Sequence, residues 1–340
     1  MEDFGGSRFH TAEWDHSKDL TGREVAVIGN GSSAAQLIPL VAQRARQIYV
    51  YQRTPNWVIP KPKAEFGPVT QLAFRNLPFL HPLYRAATYL AADIMLSPVI
   101  ARGWSARPAE RIARRHLRRQ VTDPELRKLL TPDYPVGCKR IVIDSTFLPA
   151  LNRMNVELVT TGISRITKTG IESSDGTHRN VDTIIYATGF RASEFLVPID
   201  VQGRDGARLH EEWQQGAQAY LGMAYPRFPN LFFVHGPNTT LGHNSNVFMI
   251  ECQVHYIMKC LRLLMRTGAA AEIEVLPEAM QQYRQTLDRW INRTVWVAGC
   301  QSWYKNDTGR VTNPWPASTM RYRRLTRKNP ETAFTVRPVP

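Results

Sequence analysis

Three small residues at fixed spacing, Gly29-x-Gly31-x-x-Ala34, are the first positions in this chain whose types promise chemistry. In such a turn the first glycine permits the tight bend and the second lets backbone approach a pyrophosphate. The small third residue lets a helix pack closely on a strand. The anion would lie on the helix amino terminus, where unsatisfied N–H groups and the helix dipole favour negative charge. The candidate cofactor-binding residues at the turn are Gly29, Asn30, Gly31, Ser32, Ser33, Ala34 and Gln36. An NAD site usually carries an acidic residue at the end of the next strand, but this chain has Gln52-Arg53-Thr54 there. A guanidinium and a hydroxyl suit a 2′-phosphate, and no carboxylate repels it, so NADP(H) is the expected dinucleotide.

The elements that must position these residues can be read around them. Glu24-Val-Ala-Val-Ile28 is an apolar, β-branched run that reads as a buried parallel strand, and Ala35 to Arg44 reads as a helix that tolerates Pro39. Ile48 to Gln52 reads as a second strand, which completes a βαβ unit. From Pro60 to Pro135 prolines punctuate short helical segments, and this stretch reads as a helical insertion. Strand texture returns at Ile141–Ile143, Val156–Val159 and Thr183–Tyr186, and helices are expected over Val247–Arg266 and Pro277–Asn292.

The fold class is therefore α/β: a Rossmann domain for NADP with a helical insertion. A hydrophobic fraction of 43% with 8 Trp, 12 Tyr and 13 Phe excludes disorder and miniprotein classes. The formal charge of +14 invites a nucleic-acid reading, yet no nucleic-acid motif accompanies it, and polyanionic cofactors account for it as well. In the arginine-rich run Ala109–Gln120, Ile112, Ala113 and His116 share one helical face, which predicts a solvated amphipathic helix. The apolar stretch Leu77–Trp104 is broken by Arg85, Asp93 and Pro98, so no transmembrane span is expected; peripheral membrane contact is compatible with it. The amino terminus lacks the basic and apolar regions of a secretory signal, which predicts a cytoplasmic protein. Cys138, Cys252, Cys260 and Cys300 form no CxxC pair, and with the histidines no metal-ligand spacing. They read as reduced, buried thiols, and no metal is assigned.

The residues before the turn, Phe4-x-Gly6-x-x-x-His10-x-x-x-Trp14-Asp15, lead to a family. The pattern resembles the fingerprint of flavin-dependent Baeyer–Villiger monooxygenases at every fixed position but the last, where proline is commoner than Asp15. Further resemblances follow in order: Gln52-Arg-Thr-Pro-Asn-Trp57, Tyr134-Pro-Val-Gly-Cys-Lys-Arg140, Leu151-Asn-Arg-Met-Asn-Val-Glu-Leu158, Ala187-Thr-Gly-Phe190, Phe228-Pro-Asn-Leu231, Gly236-Pro-Asn238 with Leu241-Gly-His-Asn-Ser245, and Ser302-Trp-Tyr304. The likeness covers the chain from Phe4 to about Arg324, and eight ordered motifs are far more specific than any one of them.

The resemblance implies that the glycine turn serves NADPH, with Arg53, Thr54 and Lys139 on the 2′-phosphate. Arg140 would match the active-site arginine that supports the oxygenated flavin. Phe4, Gly6, His10 and Trp14 would lie on a linker between FAD and NADP domains. Gly236 and Asn238 would lie near FAD, and Trp303 would sit on a loop that closes over NADP and substrate. The implied organisation is a linker over 1–20, an NADP domain over 21–62 and 134–189, the insertion over 63–133 and the carboxy-terminal portion of an FAD domain over 190–340. The implied activity uses FAD, NADPH and O2 to turn a hydrophobic ketone, of the bulky kind met in secondary metabolism, into an ester or lactone. No second glycine fingerprint with its strand precedes position 29, so the FAD-gripping βαβ unit is expected to lie outside this chain. The alternative is an FAD-free NADP-binding pseudoenzyme or partner protein.

Overall fold

The computed structural model describes residues 4–62, 65–267, 271–297 and 299–338. Met1–Asp3 of the expected linker, Lys63 and Ala64 of the expected insertion, and positions 268–270, 298, 339 and 340 of the expected FAD portion lie outside the described residues. In chain order the elements are β1 (Ser7–His10), β2 (Glu24–Ile28), α1 (Ser32–Val41), β3 (Gln47–Tyr51), β4 (Val58–Ile59), α2 (Pro68–Asn76), α3 (Leu80–Ile100), α4 (Ala106–Gln120), α5 (Pro124–Leu129), β5 (Val142–Ile143), α6 (Phe147–Ala150) and β6 (Val156–Val159). They continue with β7 (Ile163–Ile166), β8 (Gly170–Ser173), β9 (His178–Asn180), β10 (Thr183–Tyr186), α7 (Leu209–Glu212), α8 (Asn246–Thr267), β11 (Ala271–Val275), α9 (Pro277–Ile291), α10 (Thr319–Thr326) and β12 (Phe334–Pro338).

The chain divides into two units. The first holds the amino-terminal residues with 107–135 and 140–190. Its centre is a parallel five-stranded sheet in the order β1-β10-β2-β3-β6. Val25, Ala26 and Val27 on β2 are fully buried, as a strand covered on both faces requires. Ala34, Ala35 and Ile38 seal α1 onto one face of the sheet, together with Phe147 and Leu148 of α6. An antiparallel three-stranded meander, β7-β8-β9, completes the unit. The linker stretch contributes β1, which pairs in parallel with β10 along its whole length.

The stretch read as one insertion is shared between the units. Residues 65–106, with α2 and α3, belong to the second; 107–135, with nearly all of α4 and α5, belong to the first. Ala113 and His116 of α4 are buried as their shared face predicts, but Ile112 is 53% exposed. One residue back from Ala113 is 100° around a helix, enough to carry Ile112 off a narrow face.

The second unit packs α8 against α10 and against the antiparallel pair β11–β12. A second apolar cluster gathers Leu209, Trp213, Phe228 and Phe233. The expectation of four reduced thiols is corrected here: Cys138 and Cys300 form a disulfide, while Cys252 and Cys260 are free and buried. Short-range spacing carries no signal for a pair 162 residues apart. Among the described residues no helix is long and apolar enough to cross a membrane.

Candidate functional site

The turn after β2 is built by sterics. Gly29 has φ of +112°, and a side chain there would collide with the Ala187 carbonyl at the end of β10. Its N–H donates to the Tyr51 carbonyl, which draws the turn onto β3. Gly31 stands at the N-cap of α1 with no side-chain cap, and a Cβ built there meets nothing within 4 Å. The first N–H groups of α1 thus have no side-chain cap, and no acidic residue sits in its first turn. Ser32 and Ser33 are half-buried beside them, and Gln36 folds its amide back onto the Ser32 carbonyl.

A polar clasp fixes this turn to the end of β3. The Asn30 side-chain amide donates to Gln52 Oε1 at 2.8 Å and to the Thr54 carbonyl at 2.9 Å. Asn56 donates to both oxygens of Asn30, and Gln52 donates to the Leu129 carbonyl. Asn30 therefore holds the turn with its side chain. Arg53, between the clasp residues, is exposed and has no ion-pair partner among the described residues. Ten other arginines among the described residues do pair with carboxylates, Arg46 with Glu24 for one.

Behind the clasp, Trp57 is buried, donates from its indole to the Tyr134 carbonyl and carries the Arg114 guanidinium 5.2 Å from its ring. The cavity between them measures about 20 Å³, room for one water and not for a nucleobase. A ligand at this turn must lie over α1 and Arg53. Gln52, Asn56 and Trp57 were quoted above as a motif without a role. The signal that could have exposed their part is an amide-bearing side chain two residues before and after Thr54, where a strand must be tied to a turn.

Arg140 is exposed and belongs to the first unit, with Arg53 and Thr54. Lys139, Gly236, Asn238 and Trp303 belong to the second. Asn238 is buried and donates to the Val311 and Pro314 carbonyls, so its amide pins the 236–242 loop. Gly236 faces the Gly222 carbonyl too closely for any Cβ. His235 Nδ1, at one end of that loop, is buried with no hydrogen-bond partner among the described residues, and His243 at the other end is buried 3.7 Å from the Asp93 carboxylate. Burial lowers the His235 pKa and keeps the ring neutral. Trp303 is 38% exposed, its carbonyl held by Asn313.

The fingerprint residues lie in the first unit. His10 Nδ1 accepts from the Ala12 N–H, so Nε2 carries the proton and donates to the Gly189 carbonyl at 3.1 Å. Phe190 meets the His10 ring edge-on, and Trp14 meets Phe9 likewise. Gly6 has no room for a side chain beside the Asp182 carbonyl and the Phe4 ring.

A parallel sheet with an uncapped helix above a glycine turn defines the dinucleotide-binding class of α/β proteins. Residues 1–82 match the flavin-binding monooxygenase-like family. A Baeyer–Villiger monooxygenase of Pseudomonas aeruginosa is 40% identical over the whole chain, which spans 65% of that relative; one of Streptomyces coelicolor is 36% identical, with 66% spanned. The FAD-binding monooxygenase ktnD of Aspergillus niger is 37% identical over 95% of the chain, which spans 54% of it. A steroid monooxygenase structure bound to NADP superposes with a TM-score of 0.85 at 29% identity, over all of this chain and 71% of that one. The chain thus matches the flavin-binding monooxygenase-like family over residues 1–82, is similar along its whole length to Baeyer–Villiger monooxygenases, and spans about two thirds or less of these curated relatives' length.

Proposed function

We propose that the chain works in an FAD- and NADPH-dependent Baeyer–Villiger-type monooxygenase that inserts one oxygen atom of O2 into a hydrophobic ketone, giving an ester or lactone. The observation that carries the reading is the uncapped amino terminus of α1 above Gly31, with the exposed Arg53 at the end of β3. Those groups fit a dinucleotide: the α1 N–H groups receive the pyrophosphate, and the Arg53 guanidinium, with Thr54 and Lys139, receives the 2′-phosphate. The loop 236–242 fits a flavin edge, since His235 at its start holds a buried Nδ1 with no hydrogen-bond partner among the described residues. When bound, FAD supplies oxygen activation and NADPH the reducing equivalents.

The chain's own residues then bind, orient and compensate charge. The Arg140 guanidinium would stabilise negative charge developing on the ketone oxygen. Trp303 covers the reacting groups from water, and His10 with Trp14 couples the linker to the sheet. The NADP domain would run over 21–62 and 134–189, and 190–340 would supply the carboxy-terminal portion of the FAD domain. Exposed Val69, Leu72, Leu83 and Ile94 on α2 and α3 support peripheral membrane contact, and the need for NADPH supports a cytoplasmic setting.

The test is calorimetric titration of the purified chain with NADPH and NADH, together with the absorption spectrum after incubation with FAD. Micromolar NADPH binding and weaker NADH binding are expected, and the spectrum reads whether residues 190–340 hold FAD on their own. Failure to bind NADPH would sink the reading.

A further inference from the structure

We propose that the Cys138–Cys300 disulfide is a reversible redox tether that fixes the segment carrying Trp303, and that a dithiol reductant opens it. The two ends of the bond differ in a way that suits exchange. Cys138 is fully buried on an anchored segment: the Gly137 carbonyl accepts from the Trp296 indole at 3.1 Å, and Gly137, at φ of +86°, packs against Val99 and Val295. Cys300 is half-buried and follows Gly299, whose φ is +88° and whose missing side chain leaves open space. Beyond Cys300 the segment is fastened again at Tyr304, buried with its ring 5.5 Å from that of Trp296. Between those fastenings the Trp303 side chain remains part-exposed, its carbonyl tied to Asn313.

The step balances. A thiolate of the dithiol attacks Sγ of the half-buried Cys300, the S–S bond breaks, and Cys138 leaves as a thiolate that takes up a proton. The second thiol of the reductant attacks its own sulfur in the mixed disulfide and releases Cys300. The reductant is oxidised by two electrons, and its two protons end on the two cysteines. The Val295 carbonyl lies 3.4 Å from Cys138 Sγ, in place to accept from the new thiol, so the reduced state has a partner ready. Disulfides in a reducing cytoplasm are chiefly transient or redox-sensing ones, which is the class this pair fits. The tether stands on the structure alone; its effect on turnover rests on the monooxygenase reading.

The test uses the full chain without flavin or NADP. Alkylation in denaturant followed by mass measurement should tag two of the four cysteines in air-equilibrated protein and all four after dithiothreitol. Amide hydrogen exchange over 299–305 should then quicken by about tenfold on reduction. Cys300→Ser should show the fast exchange without reductant and no response to it, with Cys138→Ser as the second variant should the first fail to fold. Four free thiols before reduction, or exchange unchanged by reduction, would overturn the proposal. Loss of monooxygenase turnover would leave both readouts standing.

Discussion

Asp93, midway along α3, accepts hydrogen bonds from both the N–H and the hydroxyl of Thr319, the first residue of α10, each at 2.8 Å and across 226 positions of sequence. It is the only acidic side chain between Glu65 and Glu110 and is 6% exposed. His243 stands 3.7 Å from the same oxygen, and the Thr319 hydroxyl also meets Tyr89 of α3. Two helices of the second unit, far apart in sequence, are thereby joined through one carboxylate.

The tie makes stability depend on acid. Burial alone would raise the Asp93 carboxyl, yet its contacts to His243, Thr319 and Met320 bring it from 3.8 down to about 2. A carboxyl depressed in the folded state contributes stability that is complete above pH 3.8 and lost as pH falls toward 2. Asp93→Asn should cost on the order of 2 kcal/mol at neutral pH, and the difference from wild type should shrink across that window. Denaturant melts from pH 2 to 6 measure it; a gap that does not narrow on acidification contradicts the assignment.

The two glycines of the turn should separate folding from binding. Gly29→Ala forces a side chain into the Ala187 carbonyl at positive φ and should destabilise the chain by about 2 kcal/mol or more. Gly31→Ala meets only open space, so its melting temperature should stay near wild type while NADPH affinity falls about tenfold or more. Melting curves and NADPH titrations on the same two proteins decide the matter.

Arg53→Ala should weaken NADPH by about 10- to 100-fold and leave NADH nearly unchanged, because a charge-assisted contact to the 2′-phosphate is worth roughly 1.5–3 kcal/mol. Equal losses for both dinucleotides would place the arginine elsewhere on the ligand.

Arg140→Ala, in a form of the protein that turns over ketone, should abolish ester formation with NADP affinity kept within about threefold. Arg140→Lys should restore little, since an ammonium lacks the planar fork of the guanidinium. A parallel loss of NADP binding would move Arg140 out of the reaction and into the cofactor site.

Much of the first unit was legible because local pattern and long-range pairing agree there. Val25–Val27 could only be a covered strand, and Glu24–Ile28, Val156–Val159 and Thr183–Tyr186 form where their β-branched runs predict. The helices α8 and α9 begin and end within a residue of their expected limits. β1 was not legible: Ser-Arg-Phe-His has no apolar alternation, and β10, far along the chain, makes it a strand. The Asp93 clasp and the disulfide escaped for the same reason, each joining partners that only the fold brings together. In the site, residue types announced the turn and Arg53, whereas the clasp of Asn30, Gln52 and Asn56 depended on side-chain directions that spacing does not encode.

The pairing of β1 with β10 sets where this protein can be cut. A fragment begun just before β2, where the glycine fingerprint starts to read, would strip the outer strand and leave a row of β10 backbone groups without partners, an invitation to intermolecular pairing. An autonomous, well-behaved dinucleotide-binding piece should therefore begin at Phe4, so that the residues that look like a signature of function also serve as the hem of the sheet.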